Sequence, residues 1–133
     1  MSDYRYSIRV DHARNVMYLA QEGSADGVDL ARFRDAYVTA LADVKPGFVL
    51  VHDQRRVESF TDAALEVGKE LVAITNEHRA ARVIRIAPEA LATRTRVGRV
   101  LVAARSKYES VRVNTPEEAE ALVEQHLAGA PSV

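Results

Sequence analysis

Four residues, Phe48-Val49-Leu50-Val51, form an unbroken apolar run flanked on both sides by segments of helical periodicity. A strand with one solvated face alternates apolar and polar residues, so a short run without a polar member reads as a strand buried on both faces. Burying both faces of a sheet requires helices on each, which directs this chain to an α/β architecture.

The neighbouring patterns agree. Tyr6, Ile8 and Val10 alternate with Arg5, Ser7, Arg9 and Asp11, the period of a half-buried strand. A polar turn at 11–15 leads to the β-prone Val16-Met17-Tyr18-Leu19-Ala20, so the chain opens with a hairpin. Gly23-Ser24-Ala25-Asp26-Gly27 reads as a loop, followed by a helix with Leu30, Phe33, Tyr37 and Leu41 on one face, Asp26 or Asp29 as its cap and Lys45-Pro46-Gly47 as its stop. After the apolar strand and a polar link at 54–59, a second helix is expected over 61–77 with Thr61 as cap. A strand at 82–86, a helix at 90–106 and a strand at 108–113 follow, and Thr115-Pro116-Glu117-Glu118 marks the start of a last helix that runs to about Leu127. Residues 128–133 read as a frayed tail.

The order is ββαβαβαβα. Each later strand follows a helix, so the crossovers should be right-handed and the sheet mixed but largely parallel. A length of 133 residues fits one such domain.

Composition narrows function mainly by exclusion. Lys and Arg number 18 against 19 Asp and Glu, so no global basic field draws the chain to nucleic acid. Without cysteine, thiolate nucleophiles and Cys-based zinc sites are absent. His12, His52, His78 and His126 show no metal-ligand spacing, and the adjacent His52-Asp53 should point to opposite sides of a strand, so no metal is expected. GxSxG, GxGxxG and GxxxxGK[ST] do not occur, so neither a serine nucleophile nor a cofactor is expected. The polar start Met1-Ser2-Asp3-Tyr4-Arg5 is unlike a signal peptide. The best apolar stretch, 97–104, is broken by Gly98 and Arg99, far short of a membrane span. The expectation is a cytoplasmic protein that is not an enzyme.

Two places can still carry recognition. Arg94, Arg96 and Arg99 make the third helix the most basic part of the chain, either an anion-binding face or a solvated one whose Arg stems cover apolar surface. The other place is 49–65, where a buried strand delivers polar residues to a helix start, whose free N–H groups favour negative charge.

With the order of elements, this stretch resembles the STAS domain, the family of bacterial anti-sigma factor antagonists. The family's pattern is an apolar strand ending in Asp, then Val and an apolar residue, then Asp-Ser-Ser-Gly-Leu at the second helix. Asp53 matches the Asp, Val57 the Val, Phe60 the apolar residue and Leu65 the Leu, with Thr61-Asp62-Ala63-Ala64 in place of Asp-Ser-Ser-Gly. In the family the second Ser accepts phosphate from an anti-sigma kinase; here Ala63 stands in its place and has no hydroxyl. Asp62 could supply a fixed charge, or Thr61 or Ser59 could accept phosphate instead, or Asp62 and Thr61 are ordinary first-turn and cap residues. The resemblance implies a noncatalytic module that binds another protein, such as an anti-sigma or kinase-like regulator, through Asp53, Arg55, Arg56, Ser59, Thr61, Asp62 and Ala63. A homodimer fits the same fold. The alternative is a carrier or sensor of a small apolar or lipid ligand, which would need an apolar pocket of about 300 Å³ or more.

Overall fold

The computed structural model describes residues 3–129. Five strands, β1 (Arg5–Asp11), β2 (Val16–Ala25), β3 (Val49–Phe60), β4 (Arg82–Ile86) and β5 (Glu109–Val113), alternate after the hairpin with four helices. The helices are α1 (Gly27–Ala40), α2 (Asp62–Glu77), α3 (Leu91–Ala104) and α4 (Pro116–Ala128), in the expected order ββαβαβαβα. The strands lie in sequence order across one sheet, β1 antiparallel to β2 and all later neighbours parallel. Of the expected frayed tail, Ala128 closes α4 and Gly129 caps it, while residues 130–133 lie outside the described residues.

Local chemistry explains the helix starts. Asp26 caps α1, its Oδ1 accepting from Asp29 N at 2.8 Å, while Asp29 Oδ2 accepts from Asp26 N at 3.1 Å, so both candidate caps are used in one reciprocal box. Thr61 Oγ1 accepts from Ala64 N at 3.2 Å, and Thr115 Oγ1 accepts from Glu118 N at 3.1 Å with Pro116 in the first turn. Helix α3 has no side-chain cap of its own. It is fastened instead by Thr93, whose hydroxyl donates to Glu58 O at 2.5 Å, and by Arg96, which donates to Phe60 O at 2.7 Å.

The strand pairs Val16/Met17, Val49/Leu50 and Val83/Ile84 send successive side chains to opposite faces, as the pleat demands. Met17, Leu19, Leu50, Val57, Phe60 and Val83 meet Leu30, Phe33, Tyr37, Ala64 and Val97 of α1, α2 and α3. Val16, Val49, Val51, Ile84, Ile86 and Val113 meet Ala119 and Val123 of α4. Right-handed crossovers through strands in sequence order all pass on one side, which puts three helices there and leaves the other side to the terminal one.

Two segments read as connections prove to be strand. Of the loop expected at 23–27, residues 23–25 extend β2 to Ala25 while Asp26 caps α1 and Gly27 begins it, and the polar link at 54–59 extends β3 to Phe60. The ladder between β3 and β4 ends at Asp53↔Ile86, whereas β3 continues beside β2 as far as Ala25↔Phe60. The extension is irregular, with register shifts between Ala20 and Glu22 and between Gly23 and Ser24. Gly23 sits there at φ +86°, with Asp3 O only 2.5 Å from where a Cβ would stand, a place only glycine can take.

Candidate functional site

The longer β3 divides the expected recognition residues into two places. Asp53 and Phe60 are seven residues apart in one strand, so roughly 23 Å separates the strand's middle from the start of α2.

The first place is the sheet face that α4 leaves open. Asp53, Arg55 and Arg56 line a cleft of about 370 Å³ with Arg5, Ser7 and Glu22. Next to it is a second cleft of about 510 Å³, between Arg9, Tyr18, Ala20, Asp53 and the first turn of α4. Asp53 and Arg55, two apart on the strand, share that face and pair as a fork, Arg55 Nε to Asp53 Oδ1 at 3.0 Å and Arg55 Nη2 to Asp53 Oδ2 at 2.9 Å. The hydrogen bond to Asp53 raises the pKa of Arg55. Arg9 lies over the Tyr18 ring at 4.1 Å, and the Tyr18 hydroxyl donates to Glu120 Oε2 of α4 at 2.8 Å.

The second place is the start of α2. Ser59 is exposed and paired with Ser24 in the β2–β3 ladder; Thr61 is exposed and spends its oxygen on the cap. The Asp62 side chain is 97% exposed and pairs with Arg96 of α3 at 2.5 Å. Ala63 is exposed too, and a Cβ at Gly27 would lie 3.0 Å from the Ala63 Cβ, so the first turns of α1 and α2 touch. Val28 and Leu91, the second residue of α1 and the first of α3, remain 62% and 66% exposed. Of the three arginines singled out on α3, Arg96 is committed to Phe60 O and Asp62, Arg94 is half-buried and Arg99 is exposed.

A third group was missed in the sequence. Facing α1, α2 and α3 from the carboxyl-terminal half of the sheet are Gln21 of β2, His52 and Gln54 of β3 and Arg85 of β4. They line a partly open pocket of about 80 Å³ whose other walls include Leu71, Val97, Val100 and Leu101. His52 Nε2 donates to Gln21 Oε1, and Gln21 Nε2 donates to the Tyr4 hydroxyl at 2.6 Å. The imidazole also stacks on Phe33, 6.0 Å between centroids. Burial first, then the neighbouring Arg85, pulls the His52 pKa down to about 4 against a smaller opposing effect of Asp53, so the ring is neutral at pH 7. Burial likewise lowers the pKa of Arg85. The signal was parity: Arg85 shares its face with Val83, and His52 with Leu50, so polar residues were due at inward positions.

Among the described residues no three His, Asp or Glu side chains come together as a metal site, and no helix is long and apolar enough to cross a membrane.

No family model matches the sequence, and neither does any curated protein sequence. Solved structures do match. An uncharacterised protein of Shewanella loihica PV-4 with a SpoIIAA-like fold superposes with a TM-score of 0.64 at 18% identity, over 92% of this chain and 98% of that one. The anti-sigma factor antagonist SpoIIAA in its unphosphorylated form gives 0.63 at 14% identity, over 90% and 98%. An anti-sigma factor antagonist of Mycobacterium paratuberculosis gives 0.56 at 20%, over 90% and 95%. The chain thus has the SpoIIAA-like, STAS-type fold along nearly its whole length.

Proposed function

We propose, from the SpoIIAA-like fold, that this chain is a noncatalytic regulatory module that binds another protein at the start of α2 and is not switched by phosphate there. One observation carries the reading: Asp62 and Ala63 are exposed where α1, α2 and α3 meet, with Val28 and Leu91 exposed at the starts of the flanking helices. Exposed apolar side chains interspersed with charge are the composition of a protein-binding surface rather than of a catalytic cleft. A carboxylate in the first turn of α2 also adds a fixed negative charge where the helix favours one. The partner this implies is a kinase-like anti-sigma regulator, met by the exposed α2 start and the adjoining side of α2. The apolar pocket among α1, α2 and α3 holds about 80 Å³, below the roughly 300 Å³ of a small-molecule site, and the larger clefts of about 370 and 510 Å³ on the other face of the sheet are lined by charged residues including Arg5, Arg9, Asp53, Arg55 and Glu120, which favours this reading over the lipid alternative.

The test uses a kinase-like regulator from the same organism. The protein should bind it in gel filtration and, after incubation with ATP, carry no phosphate by mass spectrometry. Ala63→Ser, which sets a hydroxyl on an exposed position, should gain one phosphate. Asp62→Lys should weaken the complex while changing the unfolding free energy by no more than an exposed ion pair is worth, about 0–1 kcal/mol. Stoichiometric phosphate on Thr61 or Ser59 of the unaltered protein would replace the unswitched reading. Unchanged binding by Asp62→Lys would remove α2 as the contact.

A further inference from the structure

The polar cavity under α2 and α3 serves none of the roles assigned above, and three observations there point to a ligand. Arg85 lies partly buried on the pocket wall with its guanidinium reaching solvent beside the exposed Ser110, Nε to Ser110 Oγ at 3.4 Å, and it has no carboxylate partner among the described residues. A guanidinium on the wall of an apolar pocket with no carboxylate of its own is free to pair with an anion that enters it. Gln54, only 6% exposed, has a side-chain oxygen with no hydrogen-bond partner, also on the cavity wall. The pocket itself holds about 80 Å³, and its walls include the aliphatic side chains of Leu71, Val97, Val100 and Leu101 together with Phe33, Tyr37 and Tyr108.

We propose that this cavity is a binding site for a small monocarboxylate of acetate or propionate size, held by Arg85 with Gln54 beside it. Each part of the ligand follows from a feature of the site. One guanidinium neutralises one charge and its fork matches the two oxygens of a carboxylate, which favours a monoanion over phosphate or sulfate. Gln54 offers its NH₂ group to the same anion by turning its amide over, a rotation that exchanges an orphan acceptor for a donor. His52, neutral with its Nε2 proton committed to Gln21, contributes no second positive charge. The space of about 80 Å³ is several times the roughly 10–15 Å³ that one water requires, so a carboxylate with a tail of one or two carbons has room there, the tail lying against Val97 and Val100. The site lies at the carboxyl ends of parallel strands, where open α/β sheets place their ligands.

Amide NMR of the intact protein titrated with sodium acetate and sodium propionate, against sodium chloride at equal ionic strength, tests the site directly. Saturable shifts in the millimolar range are expected at Gln54, Arg85 and 97–101, with chloride giving none. Arg85→Met should abolish them and, in the absence of carboxylate, should melt close to the unaltered protein because it breaks no ion pair and only one long hydrogen bond. Val100→Phe, which fills the space and leaves every charge in place, should abolish them as well, so the idea does not depend on one variant folding. Linear, unsaturating shifts, equal shifts with chloride, or carboxylate binding that survives Arg85→Met would overturn the site. None of these outcomes touches the partner contact at Asp62, which lies on the surface of α2.

Discussion

At the scale of single residues, the sheet separates neighbours sharply. His52 and Asp53 are adjacent in β3, yet one faces the three-helix layer and lines its cavity while the other faces the open clefts. That opposition was legible in the sequence, because it follows from the strand period alone. What His52 does inside was not legible, since its neighbours Gln21, Phe33 and Arg85 come from three other elements. Its depressed pKa makes a prediction. The unfolded chain protonates the ring near its ordinary 6.5, the folded protein only near 4. Between those values the unfolded state binds more protons, so the contribution is complete above about pH 6.5 and is lost as the pH falls towards 4, about 3 kcal/mol in all. Urea denaturation of the unaltered protein should therefore show stability falling from about pH 6.5 to 5, before most carboxylates titrate. His52→Gln, with no group to titrate, should show a clearly flatter profile over that interval. Parallel profiles would mean that the folded ring takes up its proton as readily as the unfolded one.

At the scale of elements, agreement between sequence and structure follows regularity of environment. β4 lies where it was expected, at Arg82–Ile86, because it is paired on both sides and its pattern is unmixed. The caps at Thr61 and Thr115 were legible because capping is a local interaction. The stretch 54–59 was read as a link because Arg55, Arg56, Glu58 and Ser59 interrupt it, and its strand conformation rests on pairing with an equally polar part of β2. The matching of Asp53 to a strand end holds only for the β4 side, where the ladder does stop at that residue. Burial there is periodic but sparse, at Gln54, Val57 and Phe60. Val57 is 2% exposed and packs in the main core, so Val57→Ala should cost about 2 kcal/mol by denaturation. Glu58→Ala, on an exposed neighbour, should stay within about 0.5 kcal/mol. A loop at 54–60 would make the two changes alike and small, and hydrogen exchange would then find its amides unprotected.

At the scale of the whole molecule, the two faces of the sheet are held unequally, and the difference should be measurable as local stability. Three helices and fourteen buried core residues close one face. The other depends on α4, which contributes only Ala119 and Val123 to its buried cluster, assisted by the partly buried Leu122 and Leu127. Polar contacts supplement that thin apolar seam: Arg14 of the β1–β2 turn donates to Glu120 and to Glu124, and Tyr18 donates to Glu120. A terminal element with few buried side chains opens without the rest, whereas a central strand exchanges only through global unfolding. Native-state hydrogen exchange should therefore give the amides of α4 a smaller opening free energy than those of β3 at 49–53. Glu120→Ala breaks the links to both Arg14 and Tyr18, so it should lower the α4 value by about 1–2 kcal/mol while changing that of β3 by less than half as much. Equal losses in both would mean that α4 is cooperative with the whole sheet. In that case the clefts beside its first turn are fixed surfaces of the fold, and no opening of α4 can alter what they present to a partner.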